Sequence, residues 1–167
     1  PRLKECANLT ELDIDLLYKI SESLPIVADI SRADILLCSL LTDTQALVCQ
    51  HIKPSSISSP YRNDITGRLF STEDRPMLFR TLQGGSKGHD KKQLLASGAP
   101  IIQDYYPIYN GVGKIIAAMV VEMNMIEHER HRRRDRNFRR AVRWLQGMAT
   151  RGEIENRADL RRFGPYD

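Results

Sequence analysis

No apolar run in this 167-residue chain approaches the roughly 18 residues of a membrane-spanning helix, so no membrane span is expected. Cysteine is scarce. Cys6, Cys38 and Cys49 are odd in number and show no CxxC spacing. Cys38 and Cys49 fall inside apolar runs, where a thiol acts as a small hydrophobe, and this usage fits a reducing cytoplasm. There is no signal peptide and no initiator methionine, so Pro1 reads as an internal start of a longer protein. Catalytic motifs are lacking too. Gly84-Gly85-Ser86-Lys87-Gly88 does not have the GxxxxGK[ST] spacing of a phosphate-binding loop, and it follows a helical segment instead of opening one.

What is present is the composition of a soluble globular protein, 41% hydrophobic and 28% charged, which excludes global disorder. The length suits one domain of about 120 residues with helical extensions. The net charge of +4 is concentrated. Residues 127–143 hold eight arginines (130, 132, 133, 134, 136, 139, 140 and 143) against three acids, so the basicity belongs to one segment.

Thr10 with Asp13 reads as a helix N-cap followed by an acid in the first turn, and Ile14, Leu16, Leu17, Ile20 and Leu24 recur at helical spacing. Pro25 is expected to end or bend this helix, with a second short piece over 26–30. Residues 33–41 and 46–52 read as two strands joined by a turn. Residues 53–71 read as a long, irregular polar connection, a type that is often functional. A helix is predicted over 72–83, with Thr72 or Asp74 as N-cap, Pro76 in the first turn and Gly84-Gly85 as stop. Residues 86–92 read as a loop able to act as a mobile lid, with a short strand after it over 93–95. Strands over 99–109 and 114–123 are joined at Asn110-Gly111, a strong hairpin signal. A helix over 125–150 follows. The sum is an α+β domain: an antiparallel sheet of four to six strands flanked by N- and C-terminal helices.

This order resembles the GAF/PAS-like sensory fold, and in particular the GAF-like N-terminal domain of soluble bacterial sensor histidine kinases. Leu24-Pro25, Ala28-Asp29, Ala33-Asp34 and Tyr106-Pro107-Ile108 carry the resemblance, with the strand ending in Asn110-Gly111 and the apolar strand that runs into a basic helix. Phe163-Gly164-Pro165-Tyr166-Asp167 looks like the entry to a PAS domain. The resemblance implies a sensory domain over 1–124, a signalling and dimerisation helix over 125–150 and a linker over 151–167. It implies a cytoplasmic homodimer, PAS and kinase domains downstream in the same chain and a response regulator as partner. No residue matches the phosphoaccepting histidine of the kinase core. No catalytic residue, cofactor or metal is therefore expected in this segment, and no cyclic-nucleotide signature is found.

Arg62 and Arg68 flank Thr66-Gly67 in the long connection, and Arg80 lies on the helix after it. In a GAF-like fold this region covers the pocket, where guanidinium groups suit an anionic ligand. Gln103, Tyr105 and Tyr109 alternate onto one strand face and can present polar tips to the same place. The bland alternatives are surface arginines and a core tyrosine. Cys49 and His51, two apart on a strand, are expected to share a face. That would suit a thiol-imidazole sensor, although Cys49 is more simply a core residue. Asp34 and Asp104 are available as a third group for a hydrolase, but no spacing places either near His51. His128 and His131 have metal-ligand spacing on a helix; the neighbouring arginines disfavour a cation, and a solvated face is the simpler reading.

Two readings compete for the arginine-rich helix. Phe138, Ala141, Leu145 and Met148 repeat at spacings of three and four, with Val142 widening the stripe, as a short dimerisation seam requires. Alternatively, residues 130–143 bind nucleic acid through phosphates, though little aromatic interleaving and no helix-turn-helix pattern support this. A ligand-free dimerisation scaffold is a third reading, and the bland alternative is a helix folded back on its own sheet with Phe138 and Trp144 buried. The sensory input domain, responding to a small-molecule or anionic signal, is the one adopted.

Overall fold

The computed structural model describes residues 3–6, 9–93, 100–125, 129 and 136–154. The proposed PAS entry at residues 163–167, His128 with His131, and Arg130, Arg132, Arg133 and Arg134 lie outside the described residues.

A 3₁₀ turn at Leu3–Glu5 leads into helix α1, Glu11–Ser31. Thr10 and Asp13 build a reciprocal cap. The Asp13 N–H donates to Thr10 Oγ1 at 3.2 Å, and the Thr10 N–H donates to Asp13 Oδ2 at 3.0 Å. The helix continues through Pro25 to Ser31, correcting the expected break. Proline removes one helical donor, but Leu24, Val27 and Ala28 bury fully against the sheet, and that packing outweighs the local penalty.

Six strands form one antiparallel sheet: β1 (Asp34–Leu40), β2 (Gln45–Ile52), β3 (Leu69–Ser71), β4 (Gly88–Gln93), β5 (Pro100–Tyr109) and β6 (Ile115–Asn124), in the order β3-β2-β1-β6-β5-β4. Helix α2 (Pro76–Gly84) packs on one face, and α1 with the last helix, α3 (Arg136–Thr150), packs on the other. Alternation along the strands splits the core accordingly. Ile35, Leu37, Met119 and Ile108 face α1 and α3, while Leu36, Cys38, Val120 and Tyr105 face α2.

Two edge strands were not visible in the sequence. The expected lid over 86–92 is largely strand β4, held by pairing from Gly88 opposite Tyr105 to Gln93 opposite Pro100. Its polar sequence is that of an edge strand, defined by the neighbour it pairs with and not by its own apolar pattern. Likewise β3 arises inside the long connection by pairing Phe70 with Ala46. Helix α2 also starts later than expected, with Arg75 at its N-cap position. Asp74 and Ser71 instead bond reciprocally in the turn before it. Gly85 ends the helix at φ 67°, a left-handed conformation that glycine adopts without strain.

Candidate functional site

Three polar residues form a row across the centre of the sheet. Asp34 on β1 lies opposite Glu122 on β6, and Glu122 lies opposite Gln103 on β5. All three are fully buried. They lie on the α2 face, two residues along from Leu36, Val120 and Tyr105. Leu36, Cys38, Tyr105, Ala118 and Val120 make the rest of that face apolar toward α2; at the level of the row it is covered by the 53–68 connection and by Arg75.

The connection is fastened to the row by its own side chains. Tyr61 donates its hydroxyl hydrogen to Glu122 Oε2 at 2.5 Å, and Ser59 Oγ donates to Asp34 Oδ2 at 2.5 Å. Arg75 Nη1 donates to Glu122 Oε1 at 2.5 Å, while its Nη2 donates to the Tyr61 oxygen at 2.9 Å. The guanidinium also stacks over the Phe70 ring, 4.5 Å from its centroid. On the far side, Gln103 Nε2 donates to Glu122 Oε1 at 2.6 Å, and the Tyr105 hydroxyl donates to Gln103 Oε1 at 3.0 Å. Glu122 thus accepts from three side chains on three different elements.

A second group adjoins the first. His51 Nδ1 accepts the Ile65 N–H at 3.2 Å, which leaves the ring proton on Nε2, 2.8 Å from Asp34 Oδ2. The His51 N–H donates to Thr66 Oγ1 at 3.0 Å, and the His51 and Tyr61 rings meet edge to face at 5.2 Å between centroids. Farther out, Lys53 Nζ donates to the carbonyls of Tyr61 and Arg62, and the Ser55 N–H and hydroxyl donate to Asp29 Oδ1 on α1 at 2.6 and 2.8 Å. The connection is therefore bonded both to the buried row and to the last turns of α1.

Burial dominates the electrostatics. It pushes the Glu122 carboxyl above the usual carboxylate range, with Arg75 and the Tyr61 hydroxyl pulling in the opposite direction. Burial likewise raises the Tyr61 phenol. Burial alone would weaken the Arg75 charge, but Glu122 and the two tyrosines hold it above its ordinary value.

The chemistry is that of a closed latch. Ser59 and His51 both donate to one Asp34 oxygen and do not bond to each other, so the imidazole is not placed to take the serine proton. Asp34 Oδ1 is buried and accepts no hydrogen bond from the described residues. No cluster of metal-ligating side chains occurs among the described residues.

The structure joins Gln103 and Tyr105 in this network. Arg62, Arg68 and Arg80 lie on the exposed outer surface. Arg68 sits over Phe70 at 5.7 Å, and Arg80 Nη1 reaches Met77 Sδ at 3.8 Å. The guanidinium that enters the buried face is Arg75, which the sequence did not single out. Tyr109 shares their face but lies four residues beyond Tyr105, where it is exposed and its hydroxyl donates to the Gly85 carbonyl at the end of α2 at 3.3 Å instead of joining the network. Cys49 and His51 do not share a face. In the β1–β2 ladder Gln50 stands opposite Leu37 and Val48 opposite Cys38, so Cys49 is an extra residue that reverses the alternation. His51 faces Asp34, and Cys49 faces α1.

Helix α3 turns Val142, Gln146 and Ala149 inward, with Leu145 against the same core. Ala141, Trp144 and Met148 point outward, and Phe138 is half-buried. Gln146 ties three elements together: its Oε1 accepts from the Tyr106 hydroxyl on β5 at 3.0 Å, and its Nε2 donates to Ser31 Oγ on α1 at 3.0 Å.

A family model described as "Histidine kinase PdtaS, GAF domain" matches residues 2–142. No curated protein matches the sequence. A solved structure described as the sensor region of a sensor histidine kinase superposes with a TM-score of 0.68 at 19% identity, over 93% of this chain and 54% of that one. The chain therefore spans about half the length of that sensor region. An IclR transcriptional regulator from Alicyclobacillus acidocaldarius gives 0.53 at 12% identity, over 88% of this chain and 68% of that one. The Thermotoga maritima IclR gives 0.55 at 7%, over 83% and 67%. At these identities the structural likenesses show a shared fold.

Proposed function

Because the chain belongs to the GAF-domain family of the histidine kinase PdtaS, we propose that it is the input domain of a sensor kinase in which the 53–68 connection is the element a signal moves. The carrying observation is the latch of Tyr61 and Arg75 on Glu122. A segment held by a few convergent side-chain bonds over a buried polar row has two discrete states, bonded and released, as a switching segment requires. A signal biases the pair only through unequal affinity for the two states.

The ligand class remains a small molecule or anion. An anion reaching Arg75 would compete with Glu122 for the guanidinium and so favour release. Arg62, Arg68 and Arg80 would serve as an outer rim that attracts it. Two sets of bonds supply routes to the terminal helices: Ser55 to Asp29 on α1, and β5 through Tyr106 and Gln146 to Ser31. In this reading the helices carry the change to PAS and kinase domains beyond the chain and then to a response regulator, in a cytoplasmic homodimer. The outward apolar residues Leu12, Ile26 and Ile30 on α1 and Trp144 and Met148 on α3 supply the dimer contact beside Phe138 and Ala141. The segment contributes no catalytic residue of its own.

The test is autophosphorylation of the full-length kinase carrying Tyr61→Phe, with Val112→Ala, at the exposed turn between β5 and β6, as the surface control. The expected result is an altered basal rate for Tyr61→Phe and an unaltered one for Val112→Ala. A folded Tyr61→Phe kinase with an unchanged rate and an unchanged response to its signal contradicts the proposal.

A further inference from the structure

Cys6 and Cys49 lie 43 positions apart in the sequence, yet their Sγ atoms are 3.4 Å apart. Two features bring them together. Leu3 is fully buried in the core between the sheet and α1, and the Cys6 N–H donates to its carbonyl at 3.2 Å, which seats the N-terminal turn against the sheet. The bulge in β2 turns Cys49 to that same face. Cys38, the third cysteine, packs on the opposite face with Leu36 and Val48 and is out of reach of this pair.

The two thiols differ in access. Cys6 is half-exposed and Cys49 is buried. The contact with Cys6, together with burial, pushes the Cys49 thiol above its ordinary range, and burial keeps solutes away from it. Cys6 is the thiol that meets an oxidant, and Cys49 is the partner already in contact with it.

We infer that Cys6 and Cys49 form an oxidation site that a hydroperoxide converts reversibly into an intramolecular disulfide. In the first step the Cys6 sulfur attacks the peroxide oxygen, the O–O bond breaks, and Cys6 becomes a sulfenic acid with release of water when the peroxide is hydrogen peroxide. In the second, Cys49 gives up its proton toward the sulfenic acid oxygen as its sulfur attacks Cys6 Sγ. The S–O bond breaks, and the departing hydroxide takes the Cys49 proton and leaves as a second water. Two thiols are oxidised by two electrons, and one peroxide is reduced. The product pins the N-terminal turn to β2 immediately before α1 begins, so it restrains the entry to that helix. This chemistry stands apart from the latch, on the other face of the sheet.

The test treats the 167-residue chain and its Cys38→Ala variant with hydrogen peroxide, blocks the remaining thiols and maps the peptides by mass spectrometry. The expected result is a monomer lighter by about 2 Da before blocking, containing a Cys6–Cys49 cross-linked peptide that dithiothreitol removes, in both proteins. Thiol titration should fall from three groups to one in the parent chain. The melting temperature of the oxidised form should rise by about 5 °C or more, as expected for a bridge between distant positions. Cys6→Ser, a substitution at the half-exposed position, should leave Cys49 unmodified under the same treatment. Cys6 accumulating as sulfinic acid beside an intact Cys49 thiol would overturn the inference. So would Cys49 oxidising equally fast in Cys6→Ser.

Discussion

The Tyr61 hydroxyl donates to Glu122 at 2.5 Å and accepts from Arg75 Nη2 at 2.9 Å, so one phenol oxygen closes a triangle between a loop, a strand and a helix N-terminus. Tyr61→Phe keeps the ring against His51 and removes only that oxygen. The expected cost is about 1–3 kcal/mol, because two buried groups each lose a partner. Urea unfolding of the parent and variant chains measures it.

Arg75→Met should cost more. It leaves the Glu122 carboxylate buried without its counter-charge, a change that typically destabilises by about 3–5 kcal/mol. Adding Glu122→Gln to Arg75→Met should recover part of the loss, and a double-mutant cycle reads the coupling. The pH dependence has a definite sign. An acid whose folded-state pKa is raised binds a proton in the native state before the unfolded state does, so its contribution to stability falls as pH rises above the unfolded value of 4.5. Without Arg75 to oppose burial, the folded-state pKa rises further and this fall extends to higher pH. The deficit of Arg75→Met relative to the parent should therefore be larger at pH 7 than near pH 4.5.

The capping box on α1 gives a prediction of opposite sign. Burial raises the Asp13 carboxyl, but the Thr10 N–H, the Asn110 amide and the Thr10 hydroxyl outweigh it, and the pKa is held below 3.8. Its contribution is fully present above 3.8 and is lost as pH falls through the lower folded-state value. Thr10→Ala should cost about 1 kcal/mol at neutral pH. The deficit of Asp13→Ala against the parent should be constant from pH 7 to about pH 5 and shrink toward pH 2–3. Denaturant titrations at pH 7, 5 and 3 check this.

Helix order, the Thr10 cap and the Asn110-Gly111 hairpin were legible because each is written in adjacent residues. The edge strands were not. Residues 88–93, Gly-His-Asp-Lys-Lys-Gln, have no apolar alternation, and only the neighbouring β5 backbone makes them a strand. The latch was half legible. Gln103 and Tyr105 follow from alternation on β5, but Arg75, Tyr61 and Glu122 come together from positions up to 61 residues apart. Two local signals did exist. Asp34 and Glu122 are single carboxylates at the margins of apolar strand runs, and such a residue has either to be exposed or to find a partner. The Cys49/His51 face was misread because a bulge leaves no mark in the sequence.

Gln146 offers a separate handle on the relay, since it bonds to Tyr106 on β5 and to Ser31 on α1. Gln146→Leu keeps the volume and removes both bonds. The expected stability loss is about 1–3 kcal/mol, as the buried Ser31 hydroxyl and the half-buried Tyr106 hydroxyl lose partners. In the full-length kinase, autophosphorylation should become less responsive to the signal. An unchanged response in a folded Gln146→Leu kinase would place the relay elsewhere.

The latch itself is tested most directly by amide hydrogen exchange on the parent chain and Tyr61→Phe. If Tyr61 holds the connection closed, exchange over residues 53–68 should speed up by about tenfold in the variant, the equivalent of about 1.4 kcal/mol, while β1 and β6 keep their protection. Equal exchange over 53–68 in the two proteins would contradict the latch, and so would a uniform loss of protection across the whole sheet.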